Sequence, residues 1–172
     1  MIKTNQKIGI LFLFTGLPGT GKTTLAKRVL GKICKKFGPT LLINGDDVRN
    51  IFNLKKYSTK ERKKLDKIYG NLIKFIISQK INLIFTTISL SNKYIKEDKF
   101  LKKSIRIHIE ANYLTRYKFK KNIYKLKKNV PGKNLKANMP GKVDILLKND
   151  IKKNIKLLES EFWKKLYKKF IF

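Results

Sequence analysis

Eight residues constrain this chain more than any others: Gly16-Leu-Pro-Gly-Thr-Gly-Lys22-Thr23, a full match to G-x-x-x-x-G-K-[ST]. An apolar run from residue 8 to 15 precedes them, continuous enough for a central parallel strand covered on both faces. A helical pattern follows from Gly21 to about Lys36, with Leu25, Val29 and Ile33 on one face. A strand feeding a glycine-rich turn and then a helix is the setting in which this motif cradles phosphate. The glycines let backbone amides converge on phosphate oxygens, and the helix adds its positive end. The expected ATP-binding set is Gly16, Leu17, Pro18, Gly19, Thr20, Gly21, Lys22, Thr23 and Thr24. Lys22 is expected to bridge the β- and γ-phosphates catalytically, and the Thr23 hydroxyl to bind Mg2+.

The remaining pattern alternates strands with helices. Strands are expected at 41–43, 81–88, 105–109 and 143–147, and helices over 59–79 and 150–170. The first of those helices carries Leu65, Ile68, Tyr69, Leu72, Ile73 and Ile76 on one face. Such alternation implies right-handed crossovers and a parallel sheet. The expectation is an α/β, three-layer P-loop NTPase/kinase fold with about five parallel strands, occupying residues 1–172 as one domain. Residues 111–143 contain no acid and are broken by Pro131-Gly132 and Pro140-Gly141. They read as a basic, mobile lid over about 113–142.

Carboxylates stand just past the second strand, in Asn44-Gly-Asp46-Asp47-Val-Arg49. Open α/β sheets bind ligands at the carboxyl ends of their strands. Asp46 is therefore expected either to hold the Mg2+ shell or to accept the proton of an attacking hydroxyl. Asp47 suits the cap of a following helix. Arg49, about one turn on, offers a fork for an anionic acceptor. A GTPase would need Asn-Lys-x-Asp, and Asn92-Lys-Tyr-Ile95 lacks the acid. The third strand ends in hydroxyls, Thr86, Thr87 and Ser89, where a motor ATPase carries an acid. A small-molecule kinase remains.

Lysine and arginine total 42 against 11 acids, a formal charge of +31. Such a balance attracts polyanions, but lysine, isoleucine and asparagine rise together, as in AT-biased coding. The excess is read as a solvated surface. The lysine-rich start of the 59–79 helix is read the same way, with Arg62 alone turned into the crevice. No run of 18 apolar residues occurs, which argues against a membrane span. The first apolar run has no cleavage site and flows into the glycine loop, so it reads as a strand rather than a leader. Cys34 is the only cysteine and is expected as a small buried residue. His108, the only histidine, falls on an alternating strand. A cytoplasmic setting is expected.

These residues resemble the adenylylsulfate kinase family over roughly residues 8 to 147. The likeness is carried by Phe14-Thr-Gly-Leu-Pro-Gly-Thr-Gly-Lys-Thr-Thr-Leu-Ala26, by Asn44-Gly-Asp-Asp-Val-Arg49 and by Tyr57-Ser-Thr-Lys-Glu-Arg62. Thr87-Ile-Ser89 and the stretch from Lys121-Asn-Ile-Tyr124 to Asn129-Val-Pro-Gly132 extend it. The resemblance implies phosphate transfer from ATP to the ribose 3′-hydroxyl of adenylyl sulfate, in sulfate assimilation. It implies Asp46 as base or metal-side carboxylate, and Arg49 and Arg62 on the acceptor's phosphosulfate. Tyr57 would stack on the acceptor's adenine, Ser89 would contact phosphate, and the lid would close over both nucleotides. The chain departs from the family pattern at Asn44, at Leu65, at Leu90-Ser-Asn and at Lys118-Phe119.

Two alternatives stand beside this reading. One is a related kinase acting on another nucleotide- or sugar-linked diphosphate in polysaccharide modification. The other is an RNA-end kinase, in which Tyr113, Tyr117, Phe119 and Tyr124 would stack on bases. At helical spacing those aromatics are better read as packing residues. The partners expected are ATP, a small anionic nucleotide and a second copy of the chain, without nucleic acid or membrane.

Overall fold

The structure, a computed structural model, describes residues 8–54, 59–88, 90, 104–126, 130–135, 140–150 and 154–170. Its centre is β1 (Leu11–Thr15), all five residues of which are buried. Alternate side chains of this strand feed opposite layers, as the two-residue period requires. Phe12 and Phe14 pack with Leu25, Val29 and Ile33 of α1 (Lys22–Phe37) and with Leu158, Phe162 and Leu166 of α6 (Ile155–Phe170). Leu11 and Leu13 pack on the other face with Val48 of α2 (Gly45–Ile51) and with Leu65, Tyr69 and Ile73 of α3 (Thr59–Ser78). Fully burying each such side chain is worth about 1.5–3 kcal/mol.

Around β1 the sheet is completed by β2 (Thr40–Asn44), β3 (Asn82–Thr87), β4 (Ile105–Glu110) and β5 (Ile145–Lys148). Every pairing is parallel and the order is β2-β3-β1-β4-β5. The expected three-layer P-loop fold with five parallel strands is therefore present. Thr15 stands opposite Thr87 on one side and His108 on the other, so three strand ends open beside the glycine loop.

Element ends differ from expectation for identifiable reasons. The sheet ladder takes up β1 at Leu11, not residue 8, because two preceding amides are used elsewhere. Gly9 N–H donates to Ile77 O at 2.7 Å, and Ile10 N–H to Oδ1 of Asn82 at 2.8 Å. The Asn82 amide also donates 2.9 Å to Phe37 O, tying the end of α1 to the same corner. Cys34 is only half-buried, its Sγ lying 3.8 Å from Thr40 O, so the expected full burial is corrected. Lys60, Lys63, Lys64 and Lys67 are exposed, as a solvated face requires.

The segment read as a flap begins as two short helices, α4 (Tyr113–Phe119) and α5 (Lys121–Lys125). Asn112 caps α4, its Oδ1 accepting from Thr115 N at 2.8 Å. Pro131 then bridges to Leu135. Of the four lid aromatics, Tyr124 is fully buried, while Tyr113 and Phe119 are 43% and 60% exposed. The packing reading therefore holds for Tyr124 and for Tyr113, whose ring lies edge-on to Tyr124 at 5.7 Å and beside Tyr117 at 5.9 Å, and not for Phe119. Residues 127–129 and 136–139 of the lid lie outside the described residues.

Candidate nucleotide site

The glycine loop runs from the end of β1 into α1, and its carbonyls are held outward. Leu17 O accepts from Thr20 Oγ1 at 3.0 Å and from Thr20 N at 3.3 Å. Pro18 O accepts from the Tyr124 hydroxyl at 2.8 Å. Thr20 O accepts from Nδ2 of Asn149, just past β5, at 3.0 Å. A peptide plane whose carbonyl is held on one side has its N–H on the other. Pro18 has no N–H to follow the Leu17 carbonyl, so it is the Pro18 and Thr20 anchors that turn the Gly19 and Gly21 amides away from the held carbonyls, toward the side where an anion is received. Gly19 adopts φ +82°, and a Cβ there would lie 2.6 Å from Arg116 O. Only glycine fits that turn against α4.

Lys22 begins α1, and its Nζ donates to Leu17 O at 2.9 Å. Desolvation of the ammonium under the loop lowers its pKa to about 8, against the favourable pull of Asp46 and with a further push from Lys120. A cation held this way gains most when an anion enters beside it. Asp46 lies exposed in the first turn of α2, its carboxylate within electrostatic reach of Lys22. The backbone at that turn is fixed by the buried Tyr69 hydroxyl, which donates 2.6 Å to Gly45 O. Beside it, Thr86 Oγ1 donates 2.8 Å to Oδ1 of Asn44. An aspartate there could accept the same bond, so the Asn44 departure keeps this strand-end contact.

On the opposite flank, between the ends of β4 and β5, lies a pocket of about 400 Å³. Leu17, Thr20, His108, Glu110, Asn112, Lys148 and Asp150 are among its lining residues. Thr15 Oγ1 lies 2.9 Å from Nδ1 of His108 and 3.2 Å from Ile107 O. Burial lowers the pKa of His108, with Glu110 opposing and Lys22 reinforcing, so the ring is neutral near pH 7.

The expected residues divide into groups. The loop residues from Gly16 to Thr23 and Asp46 are brought to one crevice, with Thr23 half-buried and Thr24 exposed. Arg49 is buried and its Nη1 donates 2.9 Å to Leu54 O, beyond the end of α2. Arg62 is half-exposed on α3, one turn before Asp66. Desolvation raises the Asp66 carboxyl to about 6 despite the charge of Arg62. Tyr57 and Ser89 lie outside the described residues. Sequence reasoning missed Asn149, Arg116 and the His108–Thr15 pair, none of which carries a motif. Tyr124 was visible as a lid aromatic, but not as a partner of Pro18.

Comparison with known proteins agrees with this geometry. The profile of the adenylylsulphate kinase family matches residues 8–147. Cytidine diphosphoramidate kinase of Campylobacter jejuni is 28% identical over 148 residues, covering 82% of this chain and 86% of that protein. Adenylyl-sulfate kinase of Thermodesulfovibrio yellowstonii is 29% identical over 148 residues, covering 80% and 74%. Among solved structures, the APS kinase of Mycobacterium tuberculosis in complex with AMPPNP and APS superposes with a TM-score of 0.74 at 18% identity. That superposition covers 94% of this chain and 99% of the other. Among the described residues no helix is long and apolar enough to cross a membrane.

Proposed function

The chain belongs to the adenylylsulphate kinase family and is an ATP-dependent phosphotransferase, and on that premise we propose that it phosphorylates the ribose 3′-hydroxyl of adenylyl sulfate. The observation that carries the reading is that Lys22, donating to Leu17 O within an anchored phosphate loop, and Asp46, in the first turn of α2, lie within electrostatic reach of one another at the strand ends. The ATP phosphates lie in the loop from Gly16 to Thr24, with Lys22 leaving Leu17 O for the β- and γ-phosphates. The adenosine end lies over β4 and β5, where Glu110 and Asp150 suit an exocyclic amine. The acceptor enters from the flank of α2 and α3.

Asp46 accepts the proton as the acceptor oxygen bonds to the γ-phosphorus and the bond to the β-phosphate oxygen breaks, releasing ADP. Charge spread over the transferring group makes positioned cations the main source of acceleration. Arg49, Arg62, Tyr57 and Ser89 are proposed for the acceptor, as the family likeness implies. Among the described residues no three acids, histidines or cysteines form a metal cluster. Mg2+ requires none, because it binds through substrate phosphates, waters and one or two protein oxygens. Thr23 Oγ1 and Asp46 fit that donor set, and Mg2+ there would neutralise charge between the β- and γ-phosphates.

A second reading is favoured by a specific observation. By the family likeness the departures Leu65, Leu90-Ser-Asn and Lys118-Phe119 belong to the acceptor and lid side, and one relative, at 28% identity, is a cytidine diphosphoramidate kinase. The second acceptor is therefore cytidine diphosphoramidate. ADP release is to be measured with ATP, Mg2+ and each acceptor in turn, alongside a short RNA. Release that saturates with adenylyl sulfate supports the first reading. Silence with it and turnover with cytidine diphosphoramidate transfers the function to the second, and turnover only with RNA removes both. A cytoplasmic site and a homodimer belong to the same proposal; sedimentation at working concentration tests the dimer.

A further inference from the structure

Arg116 is 8% exposed on α4, yet among the described residues no carboxylate pairs with it. Two of its guanidinium nitrogens donate to neutral groups. Nε donates 3.1 Å to Ala111 O, and Nη1 donates 2.9 Å to the Tyr124 hydroxyl and 3.4 Å to Gly132 O. It also lies 5.7 Å and 5.3 Å from the ring centres of Tyr113 and Tyr124. The Tyr124 hydroxyl accepts from Arg116 and has one proton to give, and it gives it to Pro18 O at 2.8 Å. Hydrogen bonds in such a relay polarise one another, and a cationic donor at one end strengthens the bond at the other. The fit around the relay is close. A Cβ on Gly132 would lie 2.4 Å from Cδ1 of Leu17 and 2.9 Å from Nη1 of Arg116.

A buried cation without an anion is costly to keep. Through the Tyr124 hydroxyl Arg116 is linked to Pro18 of the phosphate loop, where ATP would bring its charge. We propose that Arg116 and Tyr124 form a latch through which the lid sets the phosphate loop for ATP, with Arg116 as a positioning residue acting through the Tyr124 hydroxyl. The latch holds the Pro18 carbonyl outward and so turns the Gly19 amide inward. It also places a fixed positive charge behind the loop. This inference rests on the loop's use of ATP and not on the identity of the acceptor.

The test is calorimetric binding of Mg-ATP to the full chain, without acceptor, together with melting temperatures. Tyr124→Phe removes only the hydroxyl and is expected to weaken ATP binding roughly tenfold, the scale of one lost hydrogen bond to a partly charged network, alongside a small fall in the apo melting temperature from the lost buried bonds. Arg116→Lys is expected to recover part of what Arg116→Ala loses. The double variant Arg116→Ala/Tyr124→Phe should bind no more weakly than Arg116→Ala alone, since both break one relay. Wild-type affinity in Tyr124→Phe overturns the latch, and so does strict additivity in the double variant. If the apo melting temperature falls in Tyr124→Phe and ATP affinity does not, the contact is structural only and the proposal fails. Failure of wild-type protein to bind ATP would instead reject the nucleotide site itself.

Discussion

The side-chain amide of Asn149 donates to the carbonyl of Thr20 at 3.0 Å, joining the end of β5 to the phosphate loop across 129 residues of chain. Asn149 is buried, so its loss leaves the Thr20 carbonyl without that partner. Asn149→Ala is expected to cost about 1–3 kcal/mol of stability and to weaken ATP binding. Asn149→Asp should weaken it further, because a carboxylate there opposes the phosphates. Urea unfolding and calorimetric titration with ATP read the two effects separately. Unchanged ATP affinity in both variants would remove Asn149 from the loop's support.

Lys22 contributes a pH dependence of definite sign. Its pKa is about 8 in the folded chain against 10.5 for an ordinary lysine. Between those values the unfolded chain holds more protons, so apo stability should rise as pH rises from 8 to 10.5. Lys22→Met removes the desolvated charge. It should stabilise the apo protein at pH 7 by no more than about 3 kcal/mol, and the gain should vanish by pH 10.5. Phosphoryl transfer should be lost. Thermal melts across this pH range, with and without the substitution, provide the check.

Tyr69 holds the turn that carries Asp46 through its 2.6 Å bond to Gly45 O. Tyr69→Phe keeps the ring, which packs edge-on against Phe85 at 5.0 Å, and removes the hydroxyl. The expected result is a stability loss of about 1 kcal/mol and a fall in kcat of roughly tenfold or more, since small displacements of catalytic groups are costly. KM for ATP should be unchanged. Steady-state kinetics with a turned-over acceptor decides it.

Asp66 titrates in the opposite sense to a paired carboxylate. Burial raises it from 3.8 to about 6, so the folded chain holds the extra proton between those values. Stability from this group is therefore present below pH 3.8 and declines as pH rises through 6. Asp66→Asn should raise the melting temperature at pH 7.5 and leave it unchanged near pH 3.5. A higher melting temperature at both pH values would show that the effect is not the carboxylate's charge.

Much of the architecture was legible because β1 and the glycine loop specify it together. An apolar strand, a full phosphate-loop motif and alternating elements leave few topologies open, and the ends of α1, β3 and α3 fell within a residue or two. The exact start of β1 was not legible, because it depends on Asn82, a residue 72 positions from Ile10. The lid's form was also hidden. Proline–glycine pairs and missing acids suggested a loose flap, whereas Tyr124 and Arg116 fold it onto Pro18. At the site, Lys22 and Asp46 announced themselves by motif and by strand-end position. Asn149 did not, because a single polar residue after a strand has no pattern to distinguish it from a surface turn.

The position of β1 in the middle of the sheet has a further consequence for how such proteins diversify. Its two neighbours, β3 and β4, lie on opposite sides of it, and the phosphate loop leaves the strand between them. The Asp46 turn follows β2, on the β3 side, and the Asn149 anchor follows β5, on the β4 side. A lineage built on this plan is free to revise its recipient while inheriting its donor chemistry intact. Two relatives at 28% and 29% identity bear different acceptor names.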